Sequence, residues 1–442
     1  MAIIPQPRLF GWQEIEQLGD LERLRLVLEN VPDEELMRDL EKERKRGRDD
    51  YPVRAVWNSI LAGIVYQHPS IESLRRELKR NGQLRHLCGF DPVRGEKAVP
   101  PAWVYSRFLK KLMARQKLLE AMFNWLVEEL TGHLPDFGRV LAIDGKAVAS
   151  YARGRKRQAA KEVKPDGRRD VDADWGQKTL RLEREDGTTW EKVVRWFGYK
   201  LHLVVDAIYE LPVAFRLTQA SASEVKQAHR LIDQMGEQLP AILKRCEYFL
   251  GDRGYDDGKL HTELWSEHAI KPAIDIRNMW QDGEETRLLA GWANVVYDYK
   301  GQVYCYCPQT AHRRPMAYGG FEKERGSLKY RCPARHYGLT CMGMDRCRVK
   351  GAVRIPLKED PRIFTPLARS SYAWKSIYKK RTAVERVNSR LDRVFGFEEH
   401  YIRGLKKMTL KCTLALMVML VMALGRVRQN RTQHLRSLVR AA

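Results

Sequence analysis

Three acidic residues stand in settings that suit joint chemistry: Asp144, Asp252 and Glu385. Asp144 follows the apolar run Val140, Leu141, Ala142, Ile143 and precedes Gly145 within RVLAIDGKAVAS. A short apolar run closed by Asp-Gly suits a strand buried on both faces. A carboxylate at the end of such a strand is costly to bury unless something positive meets it. Asp252 closes a second run of this kind, YFLGD, and Glu385 lies in the helical stretch YAWKSIYKKRTAVERVNSRLDRVF. Each acid alone also reads as an ordinary turn or surface residue. As a set they are hard oxygen donors, the ligands preferred by Mg²⁺ or Mn²⁺. Two such ions held close together activate an attacking water or hydroxyl and stabilise the leaving oxygen in phosphoryl transfer.

The elements that must position these acids follow from patterning. WFGYKLHLVVDAIYE and LPVAFRLTQA alternate as strands. With the strand ending at Asp144 they form a three-stranded meander. Ser223 caps a helix running to about Met235. The strand ending at Asp252 comes next, then a helix near 259–268 and a short strand at 269–275. The order β-β-β-α-β-α-β describes a mixed sheet layered with helices. If the strands bearing Asp144 and Asp252 are neighbours, their carboxylates face each other. On a helix turning about 100° per residue, Tyr378, Arg381, Glu385 and Asp392 fall within roughly 60° of one another. Val384, Val387, Leu391 and Val394 take the opposite, packing face.

Residues 1–135 read as all-helical, with leucines at helical spacing from Leu21 and helices near 53–67, 102–113 and 117–129. Arg75, Arg76, Lys79, Arg80 and Arg85 cluster on or beside one helix, which suits a DNA-reading module. A packing bundle with a solvated basic face is the alternative. Residues 136–277 form the first part of an α/β core, 361–428 the second, and 429–442 a basic tail. Between them, 278–360 is rich in Gly and aromatics and holds five of the eight cysteines. Residues 152–170 form a polar loop with eight Lys or Arg against three acids, suited to a phosphate backbone or to a disordered insert.

With 79 Lys and Arg against 56 Asp and Glu, the 442-residue chain carries a net charge of +23. That balance favours a polyanionic partner, nucleic acid before an acidic membrane surface. The opening residues lack a basic start followed by an apolar core. The apolar segment 412–424 falls short of the roughly 20 residues that span a bilayer and is expected to be a buried core helix. A cytoplasmic, nucleoid-associated protein with no membrane partner is expected. Cysteines there serve as thiols or metal ligands rather than disulfides.

Tyr378, Arg381 and Glu385 fit the Tyr-x2-Arg-x3-Glu-x6-Lys signature. With AIDGK around Asp144 and GDRGYD around Asp252, the chain resembles bacterial insertion-sequence transposases of the DDE type. The resemblance covers most of the chain. It implies an RNase H-like mixed sheet flanked by helices, with an all-helical N-terminal domain and a cysteine-rich insert. It implies Asp144, Asp252 and Glu385 as catalytic ligands of two Mg²⁺ (or Mn²⁺) ions. The activity implied is cleavage of DNA at element ends, then joining of the freed 3′-hydroxyl to target DNA. Its partners would be double-stranded DNA, as terminal inverted repeats and target, and a second subunit in a synaptic homodimer.

The resemblance places Tyr378 and Arg381 on the DNA backbone. Arg390 and Arg393 stand near position 392, where the signature's lysine is replaced by Asp392. The loop cations Arg153, Arg155, Lys156 and Arg157 complete the expected DNA contacts. Thiolates gathered in an irregular polar segment suit zinc. Cys307, Cys332, Cys341 and Cys347 are the expected ligands, with Cys305 or His336 as rivals and reduced structural thiols as the alternative. Two other functions fit the same residues: a non-catalytic, sequence-specific DNA-binding regulator, or a nuclease that recognises DNA shape.

Overall fold

Side-chain caps open two of the N-terminal helices. The structure, a computed structural model, describes residues 20–44, 50–154, 169–183 and 188–436. Helices α1 (Leu21–Asn30), α2 (Glu34–Arg44) and α3 (Val53–Val65) bury Leu24, Val27, Leu36, Leu40, Trp57 and Leu61 against one another. Ser70 Oγ accepts from the Ser73 N–H to open α4 (Ile71–Arg80). Asn81 closes that helix and its Oδ1 caps α5 (Gly82–Cys88). Gly89, at φ +91°, ends α5 in the left-handed conformation. Helices α6 (Ala102–Met113) and α7 (Gln116–His133) complete the layer.

The central sheet has six strands: β1 (Val140–Ala149), β2 (Asp174–Glu183), β3 (Thr189–Asp206), β4 (Leu211–Gln219), β5 (Tyr248–Gly251) and β6 (Lys271–Ile274). Their order is β2-β3-β1-β5-β6, with β4 also paired to β3. Strands β2, β3, β1 and β4 pair antiparallel, whereas β1, β5 and β6 run parallel. Helices α8 (Glu224–Gln238), α9 (Pro240–Arg245) and α10 (Gly258–Ser266) supply the crossovers. Ser223 caps α8 as the sequence predicts.

Strand β2 and the first half of the 18-residue β3 extend the predicted meander. Residues 188–195 are all exposed. A ribbon wet on both faces needs no apolar alternation, so the period-two pattern fails to announce it.

Residues 278–360 are more regular than their composition suggests. Four short strands, β7 (Thr286–Leu288), β8 (Val295–Asp298), β9 (Val303–Tyr306) and β10 (Arg313–Pro315), form one antiparallel sheet. Strands β11 (Ala317–Glu322), β12 (Ser327–Arg331) and β13 (Ala352–Pro356) form another, and the short helix α11 (Pro333–Tyr337) follows β12. Val295, Val303, Leu328, Tyr330, Val353 and Ile355 make a separate apolar core beneath them. Strands of three to six residues are too short to show a period.

The predicted helix over 372–395 is broken. Helix α12 (Tyr372–Tyr378) passes through one 3₁₀ turn, Lys379–Arg381, into α13 (Thr382–Phe395), which Gly396 ends at φ +60°. Ala383, Val384, Val387 and Leu391 bury the face of α13 that packs on β1 and β3. Helix α14 (Leu405–Arg428) is long and apolar enough to cross a bilayer, yet 89% of its most apolar stretch is buried in the protein. It packs against α7, α1 and β4, the core role that the sequence suggests.

Candidate active site

Strand register brings the first two acids together. In the parallel β1–β5 pair Val140 lies opposite Tyr248 and Ala142 opposite Leu250. Two residues further along each chain, Asp144 and Asp252 reach the same level and, because side chains alternate, the same side of the sheet. Asp252 Oδ1 accepts from the Gly254 N–H at 2.8 Å, which fixes the turn after β5. The Asp144 carboxyl is pushed above its ordinary range by burial and then by the neighbouring Asp252 charge. Lys178, the Gly145 N–H and Arg381 pull it back without cancelling that shift.

Helix α13 docks beside Asp144 through its polar face. Asn388 Nδ2 donates to Asp144 Oδ2 at 3.2 Å, and Lys146 Nζ donates to Asp392 Oδ2 at 2.5 Å. The DGK tripeptide of β1 is therefore tied to α13 at two successive turns. One turn before Asn388, Glu385 Oε1 accepts from Arg381 Nη2 at 2.7 Å, with its side chain 51% exposed. Arg381 also lies over the Tyr378 ring at 5.8 Å, and Tyr378 stacks on Trp374 with centroids 4.5 Å apart. Tyr378, Arg381 and Glu385 thus share one surface despite the break in the helix.

The expectation that all three acids meet is only partly met in this arrangement. Asp144 and Asp252 converge, whereas Glu385 is turned toward Arg381. Among the described residues no group of three or more His, Cys, Asp or Glu side chains closes around a point that could hold a metal ion. The donors present still suit a hard cation. They are oxygen-only, the two aspartates raise each other's energy, and Mg²⁺ is commonly held by one or two carboxylates with water and phosphate completing its shell.

Several residues that sequence reasoning passed over belong to this site. Asn388 had a signal, since a residue three after Glu385 shares its helix face. Lys146 had its place beside Asp144. Glu224 had none: it is simply the first residue of α8, and only the fold carries its carboxylate to Gly145 and Gly254. A Cβ at Gly145 would stand 3.0 Å from Glu224 Oε1, and Lys200 Nζ pairs with Glu224 at 3.1 Å.

The expected DNA-facing cations divide. Arg393 and Arg153 are exposed. Arg155, Lys156 and Arg157 lie outside the described residues. Arg390 does not join the exposed face: it is 12% exposed and ion-paired to the carboxylate of Glu210, itself 4% exposed. A carboxylate buried that deeply needs a cation, and Arg386 and Arg390 both reach it. In the N-terminal cluster Arg75 pairs with Glu72, Arg80 with Glu77, and Arg85 caps the carbonyls of Leu78 and Lys79. Arg76 and Lys79 stay exposed.

Cys305, Cys307, Cys332, Cys341 and Cys347 all line one cavity of about 410 Å³ within residues 278–360. His336 is exposed and does not line it, whereas His312 does. Hydrogen bonds from Thr310 and neighbouring N–H groups bring the Cys307 thiol down to about 6. Burial pushes Cys305 up to about 11. The Gly343 N–H donates to Cys307 Sγ at 3.3 Å, and the Asn294 amide to Cys347 Sγ at 3.4 Å. Cys88, Cys246 and Cys412 are buried elsewhere, and all eight cysteines are free thiols.

Residues 136–421, nearly two thirds of the chain, match the family model described as Transposase DDE domain. Residues 13–111 match another described as Transposase domain (DUF772). No curated protein and no solved structure gives a match.

Proposed function

Since the chain belongs to the DDE transposase family, we propose that it cuts DNA at insertion-sequence ends and joins the freed 3′-hydroxyl to target DNA. The observation that carries this reading is the in-register meeting of Asp144 and Asp252, with α13 bonded to Asp144 through Asn388. The strand order β4-β3-β1-β5-β6, antiparallel then parallel, supports an RNase H-like core.

Asp144, Asp252 and Glu385 are the residues that would hold divalent ions. Bound there, such ions supply activation of the attacking water or hydroxyl and charge for the leaving oxygen. The chain's own residues do the rest. Arg381 has two tasks in this reading: it restrains Glu385 and presents a guanidinium to a backbone phosphate. Tyr378, fixed by its stack on Trp374, sets the position of that guanidinium. Arg393 and Arg153 extend the cationic surface, with Arg76 and Lys79 as candidate phosphate contacts of the N-terminal helices. Asn388 orients the Asp144 carboxylate. DNA is the polyanion that the +23 charge serves, and a homodimer bridging two ends is the expected assembly.

For the cysteine cavity we propose a structural zinc ion on Cys307, Cys332, Cys341 and Cys347. Although these thiols do not close around one point here, support comes from the cavity they share, the acidic Cys307 thiol and the N–H groups directed at sulfur. Elemental analysis of purified protein should return about one zinc per chain. A metal-free, fully folded preparation would remove this part.

The main test is cleavage of the element's terminal repeats with Mg²⁺. The wild type should nick at the repeat ends, and Asp144→Ala should not. Nicking that persists in Asp144→Ala would end the assignment.

A further inference from the structure

Glu224 sits at the N-terminal turn of α8, yet it faces both turns that carry the aspartates. Its Oε1 lies where a Cβ on Gly145 would come within 3.0 Å. On the other side, a Cβ on Gly254 would press against the Glu224 carboxylate and stand 2.8 Å from Asp252 Oδ1. The Glu224 and Asp252 carboxylates are therefore separated by about the space of one methyl group. Glycine at 254 is what lets them approach, and glycine at 145 leaves room for Glu224 beside β1. Lys200, 11% exposed, holds Glu224 from the sheet with an ion pair of 3.1 Å and donates to the Ala222 carbonyl at 3.3 Å.

A second observation points into the same space. Tyr255 is fully buried, and its hydroxyl finds no hydrogen-bond partner among the described residues. The charges that bear on that hydroxyl are Glu224, Asp144 and Asp252. A buried hydroxyl left unpaired beside three carboxylates marks a place where water or a hydrated cation completes the bonding.

We propose that Glu224 is a further positioning residue of the active site, a third carboxylate whose field raises the affinity of the Asp144–Asp252 pair for a divalent cation. This rests on the reading of that pair as the cation site. Glu224 acts through its charge and through the water network that Tyr255 borders, not as a member of the family's acidic triad. It makes the cleft attractive to a cation before DNA arrives, while Glu385 is still engaged by Arg381.

The test is Mn²⁺ binding to the full chain without DNA, followed by electron paramagnetic resonance of free Mn²⁺, with melting temperature recorded alongside. Glu224→Gln, which keeps shape and removes charge, should weaken Mn²⁺ binding about tenfold, the scale of one carboxylate's field at short range in a partly wet site. Glu224→Asp should keep affinity within about threefold, because its charge remains. Asp144→Asn should lose measurable binding. Equal affinity for wild type and folded Glu224→Gln, or equal losses in the Gln and Asp variants, would overturn the role of Glu224. Wild type that binds no Mn²⁺ would overturn both this role and the cation site beneath it.

Discussion

Placing lysine at position 392, as the Tyr-x2-Arg-x3-Glu-x6-Lys pattern would have it, should damage this chain rather than repair it. Asp392 accepts from Lys146 Nζ at 2.5 Å, with the two side chains 22% and 11% exposed. Asp392→Lys would set two ammonium groups where an ion pair now stands. Removing one partner of a buried pair costs about 3–5 kcal/mol, and partial solvent access here puts the loss near the lower end. Repulsion between the two cations adds about 1–4 kcal/mol at about 4 Å, depending on how wet the site is. Both stems are long enough to swing outward, so a net loss of about 3 kcal/mol is expected. For a core of this size that lowers Tm by about 6 °C or more. Nicking should fall too, because Asn388 holds Asp144 from the preceding turn of the same helix. The assay is thermal unfolding paired with a nicking rate on repeat-end DNA. Exchanging the charges in Lys146→Glu with Asp392→Lys should recover most of both. An Asp392→Lys protein that melts at the wild-type temperature and nicks as fast or faster would refute the argument, as would an exchange that rescues neither.

Three further outcomes follow from other parts of the fold. The raised pKa of Asp144 means its stabilising contribution is fully present below the ordinary value of 3.8 and is lost as pH rises through the folded value. In a chelator at neutral pH, Asp144→Asn should therefore melt higher than wild type, with the gain vanishing below about pH 4; a neutral-pH melt no higher than wild type would contradict this. In metal-free protein near pH 7, Cys307 should be the first cavity thiol alkylated and Cys305 the last, since their thiols lie at about 6 and about 11. Peptide mapping by mass spectrometry gives that order directly. Arg390→Met should destabilise by about 1.5–3 kcal/mol by removing the more buried of the two nearest guanidiniums on Glu210 and leaving Arg386 to hold it. Adding Glu210→Gln should return much of the loss in a double-mutant cycle, and an additive double mutant would show that the two do not interact.

What could be read from residues alone depended on how local the signal was. The apolar runs before Asp144 and Asp252 marked two buried strands, and the Ser223 cap marked the start of α8. Cap, breaker and period act within a few residues, so α6 appears over 102–113 where its pattern places it. The outer half of β3 left no trace because residues 188–195 are exposed on both faces. A continuous wheel over 372–395 gave the right neighbours for Glu385, although the helix breaks at Lys379–Arg381. Arg390 looked like a DNA contact because its partner lies 180 residues earlier in the chain. Glu224 was invisible for the same reason: nothing near it in sequence states that α8 begins beside Gly145.

The same distinction explains the state of the acids. Asp144 and Asp252 are placed by backbone pairing, which fixes their level without help from a ligand. Glu385 is placed by a side chain, and its choice of Arg381 over the aspartates follows from charge. Burial and then the Asp252 charge already raise Asp144, and a further carboxylate directed at the pair would add to that cost. The rotamer of Glu385 pairs it with the nearest guanidinium, four residues earlier on the same surface. In the proposed reaction, a phosphate that drew Arg381 away and a cation that neutralised the aspartates would both favour the opposite rotamer. Under the proposed function, assembly of the acidic set would thereby be linked to the arrival of the two components that phosphoryl transfer requires, and a strand-borne third acid would lack that coupling.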